Sequence, residues 1–528
     1  MTGAELLIVA LFVAVAGLSA LAHRLRIPYP IVLVIGGALV GFVPGIPKLQ
    51  LNPDVVLVVF LPPLLYGAAF FANLNDIREN LRGITLSSVG LVLATMCAVA
   101  AVAHELVDGL PWAAAFALGA IVSPTDPLAS ALIMRRLGVP RRLVSSAEGE
   151  GLFNDATALV AFRVAVAAVV SGSFSLAHAG LSFVAGAAGG IAIGLAVGWL
   201  TAEIRARVQD AQISITISLF SGYAAFVPAN AVGASGVLAA VTTGIYMGVR
   251  GPRIIPPRIR LQGFYLWDVL DFVVNATLFV LIGLQLRSVV DGLGGTPARS
   301  LAGWALAVAL VVILIRIVWF FTVPYLIRLL DRRPSQVARR VGAGPRLVVA
   351  WAGMRGAVSL AAALALPLKT DSGAPFPGRN LIIFLTFAVI FTTLVIQGLS
   401  LPALIRALGV EADGSEDDEE LRARLLATKA ALARIDELEG EDWTRDDTIE
   451  RMRGLYEYRK RRLAVRAGKI EDDDGYEDRS LAYQQVVQSV LGAQRDALVR
   501  LRDQRQISND VMNRVVRELD LEESRLEI

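Results

Sequence analysis

Two carboxylates stand in this chain where an apolar segment should not hold them. Asp126 lies in Ser123-Pro-Thr-Asp-Pro127, which interrupts one apolar stretch, and Asp155 ends the motif Glu148-Gly-Glu-Gly-Leu-Phe-Asn-Asp155, which opens the next. An ionised carboxylate at membrane depth costs several kcal/mol unless it meets water, a partner or a cation, so both are candidates for binding a cation and a proton. Pro124 and Pro127 bracket Thr125 and Asp126. A proline has no N–H and clashes with the preceding turn, so the helix must open there and leave backbone groups unpaired beside the acid. Unpaired backbone next to a carboxylate is the material of an ion site.

The elements that would position these groups follow from composition. Of 528 residues, 55% are hydrophobic and only 18% charged, which excludes an ordinary soluble domain and indicates a polytopic membrane protein. Leu6–Leu21 has no basic residue before it and carries His23, Arg24 and Arg26 after it, the pattern of a first transmembrane helix rather than a cleaved signal. One cysteine, Cys97, excludes an intramolecular disulfide and a cysteine-cluster metal site, and the three histidines are scattered. No cofactor and no nucleic-acid partner is expected.

Taking about 20 apolar residues per crossing, hydropathy predicts an all-α architecture of about thirteen spans. The basic loops and the long charged tail place the N-terminus outside and the C-terminus in the cytoplasm by the positive-inside rule. A second interruption, Trp351-Ala-Gly-Met-Arg-Gly356, falls in the twelfth expected span, seven after the Pro-Thr-Asp-Pro break. An odd separation gives the two broken helices opposite directions, the pattern of inverted repeats that meet at the midplane of many secondary transporters. Broken helices present positive N-terminal and negative C-terminal ends, and Asp126 and Arg355 could each neutralise one kind. Residues 1–410 form the transmembrane domain in this reading. Residues 411–420 form an acidic hinge, and 421–528 a cytoplasmic helical domain that either regulates transport or only supports folding and dimerisation.

Four motifs in order, Ser123–Pro127, Glu148–Asp155, Phe272-Val-Val-Asn275 with Phe279-Val-Leu-Ile-Gly283, and Trp351–Gly356, resemble the monovalent cation:proton antiporter-1 family. Its members include bacterial sodium/proton antiporters related to animal sodium/proton exchangers. The resemblance covers roughly residues 6–408 and implies a homodimer in the plasma membrane, each protomer with a moving core of crossed broken helices. It implies Na+ and H+ as substrates, with Na+ at Asp155 and Asp126 and with Asn154 and Thr125 beside them. Asn154, in place of a second acid, implies electroneutral one-for-one exchange. Glu150 and Arg355 correspond to a buried structural ion pair. Two positions depart from the family: Gly151, where some members have serine, and Gly67, where some have an acid.

Other readings stand beside these. Asp155 could instead pair with Arg163, and Asp126 could merely neutralise helix ends. Asn275, Asp268 and Asp271 could serve packing or ion access, Arg163 and Arg316 could pair with carboxylates or snorkel, and Glu148 could belong to a cytoplasmic funnel. Gly186-Ala-Ala-Gly-Gly190 and Gly194–Gly198 read as small-residue packing faces, since no strand precedes them and no Lys-Ser/Thr follows. A K+/H+ antiporter is the neighbouring function. A cation channel would need a repeated pore loop, and an enzyme a nucleophile–base pair or metal ligands; neither signal is found.

Overall fold

The computed structural model describes residues 3–25, 27–43, 56–172, 176–293, 296–330, 341–410, 414–471 and 475–524. Arg26, Glu411–Asp413 of the expected hinge and the acidic Asp472–Asp474 lie outside the described residues. The chain divides into two compact units, 1–412 and 413–528. Among the described residues there is no strand, only an isolated antiparallel bridge between Lys369 and Pro375.

The first unit opens with α1 (Gly3–Leu25) and α2 (Tyr29–Gly41). A π-turn at Val56–Phe60 leads into α3 (Leu61–Phe71), and α4 (Leu74–Thr85) runs through a second, Leu86–Leu91, into α5 (Val92–Leu106). Then come α6 (Trp112–Val122), α7 (Pro127–Arg136), α8 (Arg141–Ser171), α9 (Leu176–Arg207), α10 (Ala211–Ala231), α11 (Gly236–Ile254), α12 (Pro257–Asp291) and α13 (Ala298–Leu330). The unit closes with α14 (Ala343–Trp351), α15 (Ala357–Leu364) and α16 (Arg379–Thr392), the last running through a π-turn at Thr393–Gln397 into α17 (Gly398–Ala407). Eight helical stretches among the described residues are long and apolar enough to cross a membrane, and Leu11–Leu25, Tyr29–Gly41 and Val58–Phe71 are shorter apolar helices.

The two interruptions are real. Helix α6 stops at Val122 and α7 restarts at Pro127; α14 stops at Trp351 and α15 restarts at Ala357. Their halves pack in two apolar clusters. Leu118, Ile121 and Val122 of α6 pack in one cluster with Ala362 and Ala363 of α15. Ala129, Ile133 and Met134 of α7 pack in the other with Val348 of α14. Helix α15 joins both clusters, its Ala357, Leu360 and Ala361 packing in the second.

Close backbone approaches brace this core. A side chain at Gly37 of α2 would strike the Val280 carbonyl of α12, and one at Gly283 of α12 the Val34 carbonyl of α2. Without these methyls the two helices pack backbone to backbone. The glycine-rich stretch of α9 does the same, Gly190 and Gly194 lying against the carbonyls of Ser235 and Ala239 near the start of α11. These are packing faces, as their sequence context implies.

The second unit contains α18 (Ser415–Leu438), α19 (Asp446–Arg466), α20 (Tyr476–Asp503) and α21 (Asn509–Glu523). Arg453 bridges Asp436 and Glu439 at 3.0 and 2.6 Å, and Arg495 bridges Asp520 and Glu523 at 2.6 and 2.5 Å. These pairs tie α19 to α18 and α20 to α21. Exposed pairs of this kind contribute little each, about 0–1 kcal/mol.

Candidate functional site

The loops between the broken halves meet directly. The amide of Asp126 donates to the carbonyl of Met354 at 2.8 Å, joining the first break to the second. Asp126 caps α7 through Oδ1, which accepts from the Leu128 amide at 2.9 Å. Its other carboxylate oxygen lies against Gly356, the residue that caps α15, so closely that any side chain at 356 would overlap it. One carboxylate therefore faces the positive ends of both restarted helices.

The negative ends are held by arginines. Arg355 donates from Nε to the Val122 carbonyl at the end of α6 at 3.2 Å, and its guanidinium also binds the Gly353 carbonyl. Its own amide donates to Thr393 Oγ1 at 3.1 Å. Arg316 of α13 donates to the Ala350 and Val349 carbonyls near the end of α14, at 3.1 and 3.2 Å. The opened backbone at the crossing is thus satisfied by one acid and two bases.

Here the expected Glu150–Arg355 pair is corrected. Glu150 forms its ion pair with Arg316, through both guanidinium nitrogens. Arg355 is turned instead to backbone carbonyls. The reason is geometric: Arg316 lies over the Phe320 ring, 5.0 Å from its centroid, and across Gly353, where a side chain would block it. From there it reaches Glu150 and the end of α14 together. Glu150, Arg316 and Arg355 are 3%, 2% and 1% exposed, so these charges depend on one another and on backbone for all their solvation.

From Glu150 a polar chain leads to the candidate ion-binding residues. Thr125 Oγ1 donates to Glu150 at 3.1 Å and accepts from Asn154 Nδ2 at 2.8 Å. This fixes the Asn154 amide, whose buried Oδ1 has no partner among the described residues. Asp155, the next residue on α8, makes no hydrogen bond or ion pair within the described residues. Arg163, its alternative partner from sequence, instead binds Asn230 Oδ1 at 2.7 Å and the Ala234 carbonyl at 3.4 Å.

Asp155 opens into a cavity of about 460 Å³ that also receives Thr125, Asp126, Asp271 and Asn275. The two departures at Gly67 and Gly151 lie on its wall. At Gly151 a side chain would collide with the Pro127 ring 2.6 Å away, and at Gly67 it would meet the Trp267 ring at 3.1 Å. The Pro127 ring occupies the space that a side chain at 151 would need, whereas at 67 the Trp267 ring would have to give way slightly. Glu148, also on the wall, is tied to Arg135 at 2.7 Å. Among the described residues no group of three or more His, Cys, Asp or Glu side chains is placed to hold a metal ion. The sequence does not single out Arg316 as the partner of Glu150. An arginine isolated in the apolar run of α13 was the available signal.

Residues 8–407 match the model of the sodium/hydrogen exchanger transmembrane family. The chain belongs to the sodium/hydrogen exchanger family. An uncharacterised Na+/H+ exchanger of Mycobacterium tuberculosis is 38% identical over 525 residues, covering 98% of this chain and 95% of the relative. A sodium, potassium, lithium and rubidium/H+ antiporter of Bacillus subtilis is 32% identical over 82% of this chain and 66% of the relative. Among solved structures, the sodium proton antiporter MjNhaP1 from Methanocaldococcus jannaschii at pH 8 aligns with a TM-score of 0.58 at 19% identity, over 77% of this chain and 99% of its own. That likeness supports the fold of this exchanger-family chain, a multi-pass helical membrane protein with two broken helices crossing at its centre.

Proposed function

We propose that this protein exchanges Na+ for H+ one for one across the plasma membrane, with Asp155 as the group that carries each in turn. The observation that carries the reading is the partnerless carboxylate of Asp155 in a cavity beside the crossed breaks of an exchanger-family chain. Burial penalises the charged form of a carboxylate and a bound cation favours it, so proton and sodium compete for such a group. Alternating access on two sides of a membrane turns that competition into exchange. Asp126 supplies negative charge at the same cavity while capping two helices, and Thr125 and Asn154 position the floor beneath Asp155. Arg316 and Glu150 hold the crossing together. The protein acts as a homodimer, its N-terminus outside.

The test is transport in proteoliposomes. An inward sodium gradient should drive protons outward, and with the pH gradient clamped the rate should not follow an imposed voltage, because Asn154 adds no second charge. No proton movement would remove the exchanger reading; a voltage-dependent rate would remove only the one-for-one stoichiometry.

Residues 421–528 tune this activity without performing it. A chain cut before Glu411 should therefore still exchange sodium for protons, with a pH–activity profile displaced from that of the full chain. Full inactivity of a folded truncated protein would show that transport needs the tail, and coinciding profiles would show that the tail does not regulate it.

A further inference from the structure

The cavity beside Asp155 holds one more acid without an ion pair than the exchange chemistry uses. Of the other carboxylates on its wall, Asp126 is committed to the ends of α7 and α15, Glu148 is paired with Arg135, and Asp268 is exposed. Asp271 differs from all three. It is half-buried on α12, one turn beyond Trp267, and makes no ion pair among the described residues. Its one side-chain hydrogen bond is from Asn275 Nδ2, at 3.0 Å to Oδ1. An amide donor orients a carboxylate without neutralising it, so the charge is directed into the cavity that Asp155 shares.

The same wall shows what that charge can replace. Gly67 and Gly151 offer no side-chain ligand, and the Pro127 ring leaves no room for one at 151. The buried Oδ1 of Asn154, the residue before Asp155, has no partner among the described residues. A monovalent cation entering here meets few neutral ligands, and Asp271 is the remaining charge that attracts it.

We propose that Asp271 sets the cation affinity of this exchanger from the wall of the cavity it shares with the carrier, without itself carrying the proton. The proposal rests on the reading of Asp155 given above. Asn275 is the positioning residue that keeps the Asp271 carboxylate turned to the cavity.

The test measures initial rates against Na+ concentration, and the H+ to Na+ ratio, for wild type, Asp271→Asn, Asp271→Glu and Asp155→Asn in proteoliposomes. Asp271→Asn should raise KM for Na+ about tenfold, the size expected of one unit charge across a cavity of this width at an effective dielectric near 20, while kcat stays within about twofold. Asp271→Glu should restore KM to within about threefold of wild type, and the H+ to Na+ ratio should not change in either. Asp271→Ser serves as the second neutral variant where the amide fails to fold. An unchanged KM in a folded neutral variant, a fall in kcat alone, or an altered ratio would overturn the proposal. If Asp155→Asn is inert while Asp271→Asn behaves as wild type, only this inference fails; if Asp155→Asn still exchanges, the reading of the carrier fails first.

Discussion

Asp155→Asn protein is expected to insert, fold and exchange nothing. The substitution keeps the shape of the side chain and removes the carboxylate assigned to alternate between a proton and a cation. Since Asp155 makes no hydrogen bond or ion pair among the described residues, its loss breaks no internal contact, and the fold should keep its thermal stability. Removing an isolated buried charge relieves a desolvation cost, so a small rise in melting temperature is the expected side effect. Sodium-driven proton movement by a well-folded Asp155→Asn protein would show that the carrier lies elsewhere.

The second large effect is structural. Arg316→Met should lower stability by about 3–5 kcal/mol, because it leaves Glu150 charged, buried and without its partner. Glu150→Gln should cost a comparable amount by stranding Arg316. The double variant should recover part of the loss but not all, since the Ala350 and Val349 carbonyls then also lose their donor. Arg355 provides the control. Its removal should destabilise by freeing the Val122 and Gly353 carbonyls, and that loss should couple to Glu150→Gln more weakly than the Arg316 loss does. Melting temperatures of the purified single and double variants measure the coupling, and stronger coupling of Glu150 to Arg355 than to Arg316 would contradict the observed pairing.

These two cases mark what sequence reasoning reached. The breaks were legible because proline and glycine leave local signatures: Pro124 and Pro127 cannot sit inside an unbroken helix, and their consequence does not depend on what lies nearby. Asp126 and Asp155 were legible because a carboxylate in an apolar run needs an explanation wherever the chain folds. The opposite direction of the two broken helices is an expectation that rests on counting crossings.

What depended on tertiary placement was not legible. Two arginines, Arg316 and Arg355, were both available to Glu150, and nothing in their spacing says which will reach it; the choice is made by where α13 crosses the end of α14. Gly67 and Gly151 look like missing ligands in the sequence, yet the space at 151 is filled by Pro127 and that at 67 is narrowed by Trp267, both from other segments. Asp271 could have served packing or ion access, because helical periodicity does not say which face of a fully apolar helix meets a cavity. The π-turns at Leu86–Leu91 and Thr393–Gln397 had no sequence signal at all. The second of these places Thr393 where it receives the Arg355 amide.

The central claim is that proton and sodium occupy one carboxylate in turn, and linkage between the two ligands tests it most directly. Sodium binding to the purified protein should be measured by titration calorimetry across a range of pH, with ionic strength held by a cation that is not transported. If Asp155 carries both, the apparent affinity for Na+ should fall about tenfold for each unit of pH on the acid side and level off on the alkaline side, as one-proton competition requires. The Asp155→Asn protein should show no sodium heat at any pH. An affinity for Na+ that is independent of pH, in protein that still exchanges, would contradict the account.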